Sequence, residues 1–293
     1  MRFFAGLCFA AACLLAAADI SADKGVYPST DEELRAAYDA LQWHNKAGPY
    51  KLSKSHATIQ LQAGLLLVLG ADAERYSWLG SGVEYPATEA VLIHNSGGTN
   101  REVYYDWRDE GYVSDSDWED VDGDALLAQY RNATEASNEK RSKNGLKPMH
   151  VVGWLVAPRY DEATRTVTYA MEMKDDEDSW SNTVALRLGR AGYTEFTWVG
   201  SIDQFKEAGG QPDLLNQALA THSFDQGHRY EDFQDGDKVA SRGVAGLVAA
   251  TLGIKSKSQL ATDLAKIVIP LIAVVALAAW RFRELFGSFR RRS

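Results

Sequence analysis

Hydrophobic residues fall along this chain in three patterns: near-continuous blocks at the two ends, helical stripes, and alternating runs between them. After Thr30-Asp31-Glu32-Glu33, a capping box in which hydroxyl and carboxylate each serve the other's backbone N–H, Leu34, Ala37, Tyr38 and Leu41 form one stripe at helical spacing. This predicts a helix running from Asp31 toward Gly48-Pro49. Residues 56–61 and 64–69 read as short strands, and 71–79 as a short helix stopped by Gly80. Residues 89–93 and 102–107 read as strands around the turn Asn95-Ser96-Gly97-Gly98. Asp120 or Asp122 then caps a longer helix over about 123–142.

The clearest β region follows. Four β-rich runs, 150–156, 166–173, 183–188 and 194–199, are joined by turn residues. In the third, Val184, Leu186 and Leu188 alternate with Thr183, Ala185 and Arg187, the period-2 pattern of a strand with one buried face. An antiparallel meander over about 148–200 is the economical arrangement, followed by helices near 202–208 and 212–221. The predicted class is α+β: an antiparallel β-sheet with flanking helices, plus one C-terminal transmembrane helix. In the Gly/Ala-rich stretch 238–254, Gly243, Gly246, Ala250 and Gly253 line one helix face. Small residues there allow close approach of another helix. The stretch is either a tightly packed helix of the domain or a juxtamembrane helix that meets the anchor or a second copy.

The end blocks predict location. Residues 1–18 carry Arg2, an apolar run and the small residues Ala16 and Ala18, the layout of a secretory signal cleaved before Asp19. Cleavage after Ala22 and an uncleaved N-terminal anchor are the alternatives. Cys13 does not sit in a lipoprotein setting, because Ala10-Ala11-Ala12 lacks the large aliphatic residue and Leu14-Leu15 continue the apolar run. At the other end, the apolar run Ile267 to Trp280, extended to 263–282 with Lys266 snorkelling, approaches the ~20 residues of a membrane-crossing helix. Arg281, Arg283, Arg290, Arg291 and Arg292 orient the tail, 283–293, toward the cytoplasm. The expectation is a single-pass membrane protein with residues 19–262 on the exported side.

Composition narrows the functions available. Cys8 and Cys13 are both within the leader, so the mature chain has no disulfide, thiol nucleophile or cysteine metal site. The formal net charge is −9, but residues 19–263 hold 39 acidic against 24 basic residues. Such a domain does not attract nucleic acid. The expected partners are the membrane itself and another membrane or envelope protein, or a second copy of the chain.

No catalytic motif stands out. Asp115, Asp117, Glu119, Asp120, Asp122 and Asp124 are crowded together, yet an EF-hand loop needs Gly where Asp120 stands. They read as a solvated turn that caps the following helix. His222 and His228, near Asp225 and Asp232, are six apart and share no helix face, so they read as incidental loop histidines rather than a metal site. There is no GxSxG elbow, no Walker loop and no cofactor motif. The candidate polar cluster is scattered: Asn138, Arg141, Tyr160, Asp161, Asn182, Arg187, Arg190, Arg229, Tyr230 and Asp232. Arginine forks among these suit carboxylates or phosphates, or else the residues form internal ion pairs. One cleft shared by them would define a ligand site.

Several phrases occur in an ordered set. They are Gly111-Tyr112-Val113-Ser114-Asp115-Ser116-Asp117, Asn138-Glu139-Lys140-Arg141, Gly153-Trp154, Pro158-Arg159-Tyr160-Asp161, Asn182, Arg187-Leu188-Gly189-Arg190-Ala191-Gly192, Gly227-His228-Arg229-Tyr230-Glu231-Asp232-Phe233 and Asp237-Lys238-Val239-Ala240. In this order the chain resembles the bacterial membrane-anchored family called domain of unknown function 2167, from about residue 50 to the anchor. Tyr169-Ala170 and Thr183-Val184 depart from its usual pattern. The resemblance implies a bacterial envelope protein and supplies no activity. Two functions follow as expectations: a non-enzymatic binding or accessory module, or an envelope-polymer hydrolase, a carboxylate-based glycan enzyme, which needs two carboxylates at a fixed separation.

Overall fold

The computed structural model describes residues 27–96, 99–143, 147–210 and 212–252. The leader, Gly97-Gly98 of the predicted turn, Gly253, the apolar span and the Arg-rich tail lie outside the described residues. Helix α1, Asp31–Asp39, starts as its capping box dictates. Thr30 Oγ1 accepts the Glu33 N–H at 3.2 Å, and the Glu33 carboxylate accepts the Thr30 N–H at 3.2 Å. Thr30→Ala is expected to lower stability by about 1 kcal/mol, seen as a lower urea midpoint at unchanged slope. An unmoved midpoint would mean that Ser29, which also donates to Glu33, holds the helix start unaided.

The helix ends at Asp39 rather than near Gly48. The chain from Gly48 onward is instead a strand, β1 (Gly48–Leu52), paired with β2 (Ala57–Leu61). Pro49 is tolerated because β1 is an edge strand, where a missing N–H is not needed. Then come β3 (Leu66–Leu69), α2 (Gly70–Ser81), β4 (Thr88–Ser96) and β5 (Thr99–Arg108). Gly80 lies inside α2. The helix stops at Gly82, whose left-handed backbone (φ 74°) lets its N–H bond to the Trp78 carbonyl.

Helix α3 (Gly123–Lys143) is followed by the meander: β6 (His150–Asp161), β7 (Thr166–Lys174), β8 (Ser179–Leu188) and β9 (Tyr193–Ser201). After it come α4 (Ile202–Glu207), α5 (Asp213–Thr221), β10 (His222–Phe224) and α6 (Val244–Thr251). The large sheet is antiparallel throughout and seven-stranded, in the order β3-β4-β5-β9-β8-β7-β6. The expected meander is its right half, and pairing of β5 with β9 joins it to the left half. A second sheet, β1-β2-β10, is built from distant segments.

Alternation along the strands sorts side chains onto two covered faces. Ala90, Leu92, Tyr105, Ala170, Ala185, Phe196 and Trp198 meet Ile59, Leu214, Leu215, Ala218 and Phe224 of the small sheet and α5. On the opposite face, Val167, Tyr169, Met171, Val184 and Leu186 meet Tyr130 of α3 and Val244, Leu247 and Val248 of α6. The same face of β3 and β4 is packed against α2 through Ala73, Tyr76 and Leu79. A sheet buried on both faces gives strands without uniform apolar–polar alternation. The pattern Val184-Leu186-Leu188 is therefore only half of what β8 buries.

Helix α6 belongs to this core. It is anchored by Val244, Leu247, Val248 and Thr251, whereas Gly246 and Ala250 on the small-residue face are only half-buried. The nearest neighbour of a side chain at Gly246 would be Arg242, at 3.0 Å. Gly243 has a different use. A Cβ there would stand 2.4 Å from the Asp117 carboxylate, which accepts the Ala245 N–H at 3.2 Å. Among the described residues no helix is long and apolar enough to cross a membrane.

Candidate ligand-binding cleft

The end of the β6–β7 hairpin leaves part of the large sheet uncovered beyond α5. Asp161 shapes the hairpin turn: one carboxylate oxygen accepts the Ala163 N–H at 3.0 Å, the other the Thr164 hydroxyl at 2.8 Å. Arg165 completes it with a left-handed backbone (φ 50°). The strand registers Arg159↔Thr168↔Ala185 and Asp161↔Thr166↔Arg187 then place these side chains on one face. Across from them stand Leu219 and Ala220 at the end of α5 and His222 at the start of β10. The space they enclose is about 760 Å³ and open on one side, a size suited to a small ligand.

Arg187 is the main cation of the cleft. Its Nε donates to Thr166 Oγ1 at 3.2 Å, and its Nη1 donates to the carbonyls of Leu219 at 2.6 Å and His222 at 2.9 Å. All three acceptors are neutral. The charge suits the carbonyl end of α5, yet among the described residues no carboxylate forms a contact ion pair with it. Burial pushes its guanidinium pKa below the ordinary arginine value, opposed by Tyr105 and Asp161. The Thr168 hydroxyl has no protein hydrogen-bond partner among the described residues.

His222 is 4 % exposed, and neither ring nitrogen has a partner. Its ring sits edge-on to Phe196 and Phe224, both at 5.1 Å. Burial, reinforced by the positive charge of Arg187, lowers its pKa to about 3, so it is neutral at physiological pH. The sequence reading as an incidental loop histidine is corrected here. His222 and Phe224 alternate inward from β10 around exposed Ser223, and that short alternation was the available signal. His228 does lie in a surface loop, stacked on His56 at 4.0 Å. Among the described residues no three His, Cys, Asp or Glu are grouped to hold a metal ion.

The ten polar residues do not converge. Only Tyr160, Asp161 and Arg187 reach the cleft's lining, and the Tyr160 hydroxyl turns to the opposite face. There it donates to Asp115 at 2.6 Å, where Tyr230 (3.1 Å) and Arg165 (2.6 Å) also donate. Burial works against the Asp115 charge, but these donors outweigh it and hold its carboxyl below the usual range. Asn138 clamps α3 to β6, receiving the Met149 N–H at 2.9 Å and donating to the Met149 carbonyl at 2.8 Å. Arg141 donates to the Lys147 carbonyl, and Asn182 is buried in β8. Arg190 pairs both ways with Asp237 at 2.7 and 2.8 Å. Asp232 accepts the N–H groups of Gly227 and exposed Arg229.

The acidic turn also divides its work. Asp122 caps α3 through the Ala125 N–H, Asp117 caps α6, and Asp115 is the hydroxyl and guanidinium acceptor just described. A second cluster escaped sequence reading. Asp106 and Glu195 stand directly opposite on β5 and β9. Arg108 bridges them at 3.3 Å to each. Burial pushes Glu195 up, opposed by Arg108. Both carboxylates are buried, so this pair is an internal ion network rather than a pair facing a substrate.

The described chain is thus an α+β domain of antiparallel sheets with flanking helices and one arginine- and threonine-lined cleft. It belongs to the family described as "Protein of unknown function (DUF2167)", which matches residues 44–280. No curated protein matches the chain. Among solved structures it is similar to the solution structure of cyanobacterial PsbP (CyanoP) from Synechocystis sp. PCC 6803, at 10% identity and a TM-score of 0.37, covering 62% of this chain and 94% of that one. Similarity at that level has no bearing on function.

Proposed function

We propose that the protein is a binding module of the bacterial cell envelope, exported by residues 1–18 and held in the inner membrane by residues 263–282. In this reading the domain 19–262 faces the periplasm and the tail 283–293 the cytoplasm. The apolar leader and the span followed by arginines support the placement. The observation behind the binding reading is the composition of the cleft. Its one carboxylate, Asp161, spends both oxygens on its own turn, its histidine is held neutral in the core, and the remaining polar groups are guanidiniums and hydroxyls. That set recognises and orients a ligand. It lacks the acid–base pair that hydrolysis of an envelope polymer uses.

The test is capture from a bacterial envelope extract on the full-length protein in mild detergent, with mass spectrometry of what is retained. The expected result is an unaltered envelope compound, lost from Arg187→Met. Recovery of cleaved product would replace the binding reading with the hydrolase, and an empty column would overturn both.

A further inference from the structure

We propose that the cleft takes a hydroxylated monoanion, one carboxylate or phosphodiester group on a polyol or sugar body, with the anion on Arg187 and a hydroxyl group near Thr168. The inference rests on the binding reading and names its ligand class. Arg187 has five N–H donors. Three are used by Thr166, Leu219 and His222, which leaves the two on Nη2 for the cleft that the side chain lines. With Nε and Nη1 occupied, the fork is closed to bidentate grip, and Nη2 alone receives a ligand oxygen. The guanidinium's own hydrogen bonds go to neutral acceptors, and the charges of Arg159 and Asp161 in the lining offset each other, so the site carries one net positive charge that one negative charge balances, while a dianion leaves one charge uncompensated in a partly desolvated place.

The rest of the cleft asks for hydroxyls. Thr168 offers a hydroxyl that has no hydrogen-bond partner among the described residues. His222 gives the cleft bulk rather than a polar contact, because both of its ring nitrogens are buried out of reach of solvent among Phe196, Phe224 and Tyr105. Thr164 and Thr166 add further hydroxyl-bearing side chains to the lining.

Titration calorimetry on the full chain in mild detergent tests this, with glucuronate as the carboxylate probe and glycerophosphoglycerol as the phosphodiester headgroup. Glucose is the neutral control and inorganic phosphate the dianionic one. At least one monoanion is expected to bind more tightly than both controls, and which one binds separates a sugar acid from a lipid headgroup as the source. Arg187→Met is expected to weaken binding by roughly 10- to 100-fold, the range for a hydrogen bond to a charged group. Because Arg187 also holds the end of α5, Thr168→Val is the second variant. It breaks no protein hydrogen bond and is expected to weaken binding several-fold with an unchanged melting temperature. Binding of glucose equal to that of the monoanions, or Arg187→Met and Thr168→Val both binding as the parent, overturns the proposal. If neither monoanion binds while the envelope extract still yields an Arg187-dependent compound, the ligand class is wrong and the binding reading stands.

Discussion

Lowering the pH from about 6.5 to about 4 is expected to cost the folded domain roughly 3 kcal/mol through His222 alone. The sign follows from its burial. In the unfolded chain the imidazole titrates near 6.5, but in the fold only near 3. Between those values the unfolded state binds a proton that the folded state refuses, so stability is complete above 6.5 and drains away as the pH falls. The main carboxylate losses lie lower. Asp225, bonded by Lys51, and Asp237, bonded by Arg190, have depressed values and lose their stabilisation below about pH 4. Burial pushes Glu89 and Glu195 up, so their protonation favours the fold on acidification and partly masks the histidine.

His222→Phe isolates the effect. The ring fits among Phe196, Phe224 and Tyr105 and carries no orphan nitrogen. At neutral pH the variant is expected to be at least as stable as the parent, because an unsatisfied buried polar atom costs about 1–3 kcal/mol. Urea denaturation of both full chains at the two pH values reads the difference. Equal acid losses in parent and variant would show that His222 is not the group responsible.

A methyl group at Gly192 is expected to be the most damaging single addition to the sheet, at about 3–5 kcal/mol. A Cβ there would lie 2.0 Å from the Arg108 carbonyl oxygen and 3.1 Å from the Trp107 ring. The obstacle is backbone, which has no rotamer to give. It lies where β5 meets β9, the one joint between the two halves of the large sheet. Opening that joint also disturbs Arg108 and leaves Asp106 and Glu195 as buried charges without their cation. Gly246→Ala is the contrast: the nearest atom is Arg242 Cβ at 3.0 Å, just ahead of α6, which must give by only roughly a few tenths of an ångström, and alanine's helix propensity offsets that by up to ~1 kcal/mol. Chemical denaturation followed by tryptophan fluorescence measures both. A Gly192→Ala chain within about 1 kcal/mol of the parent would mean that the β5–β9 joint tolerates separation.

What could be read from sequence was what depends on near neighbours. The Thr30–Glu33 box, Asp122 ahead of α3 and the β6–β9 meander are each set by residues a few positions apart. β1 was hidden because Gly48-Pro49 looks like a terminator until β2 supplies its partner. β10 offers only the three-residue alternation His222-Ser223-Phe224, and it pairs with a strand far upstream. For the site, residue types were legible but not sides. Tyr160, Asp161 and Arg187 were singled out together, yet alternation sends the Tyr160 hydroxyl to Asp115 on the opposite face and leaves the other two in the cleft. Asn138, Arg141, Arg190 and Asp232 turned out to tie loops and helix ends to their neighbours, a use open to any polar residue and so without a spacing of its own.

The two-sided hairpin sets a rule for how this chain can change length. From Arg159 to Asp161, β6 pairs with β7 in unbroken register, so one residue gained or lost there exchanges the faces. Tyr160 would swing into the cleft and an arginine would face Arg165. Upstream, the register already slips between Val151 and Gly153, Trp154 and Val156, and Val156 and Arg159. Bulges of that kind absorb an extra residue locally. Descendants of this sequence are therefore free to lengthen or shorten before Arg159, while the three residues that follow are locked in step.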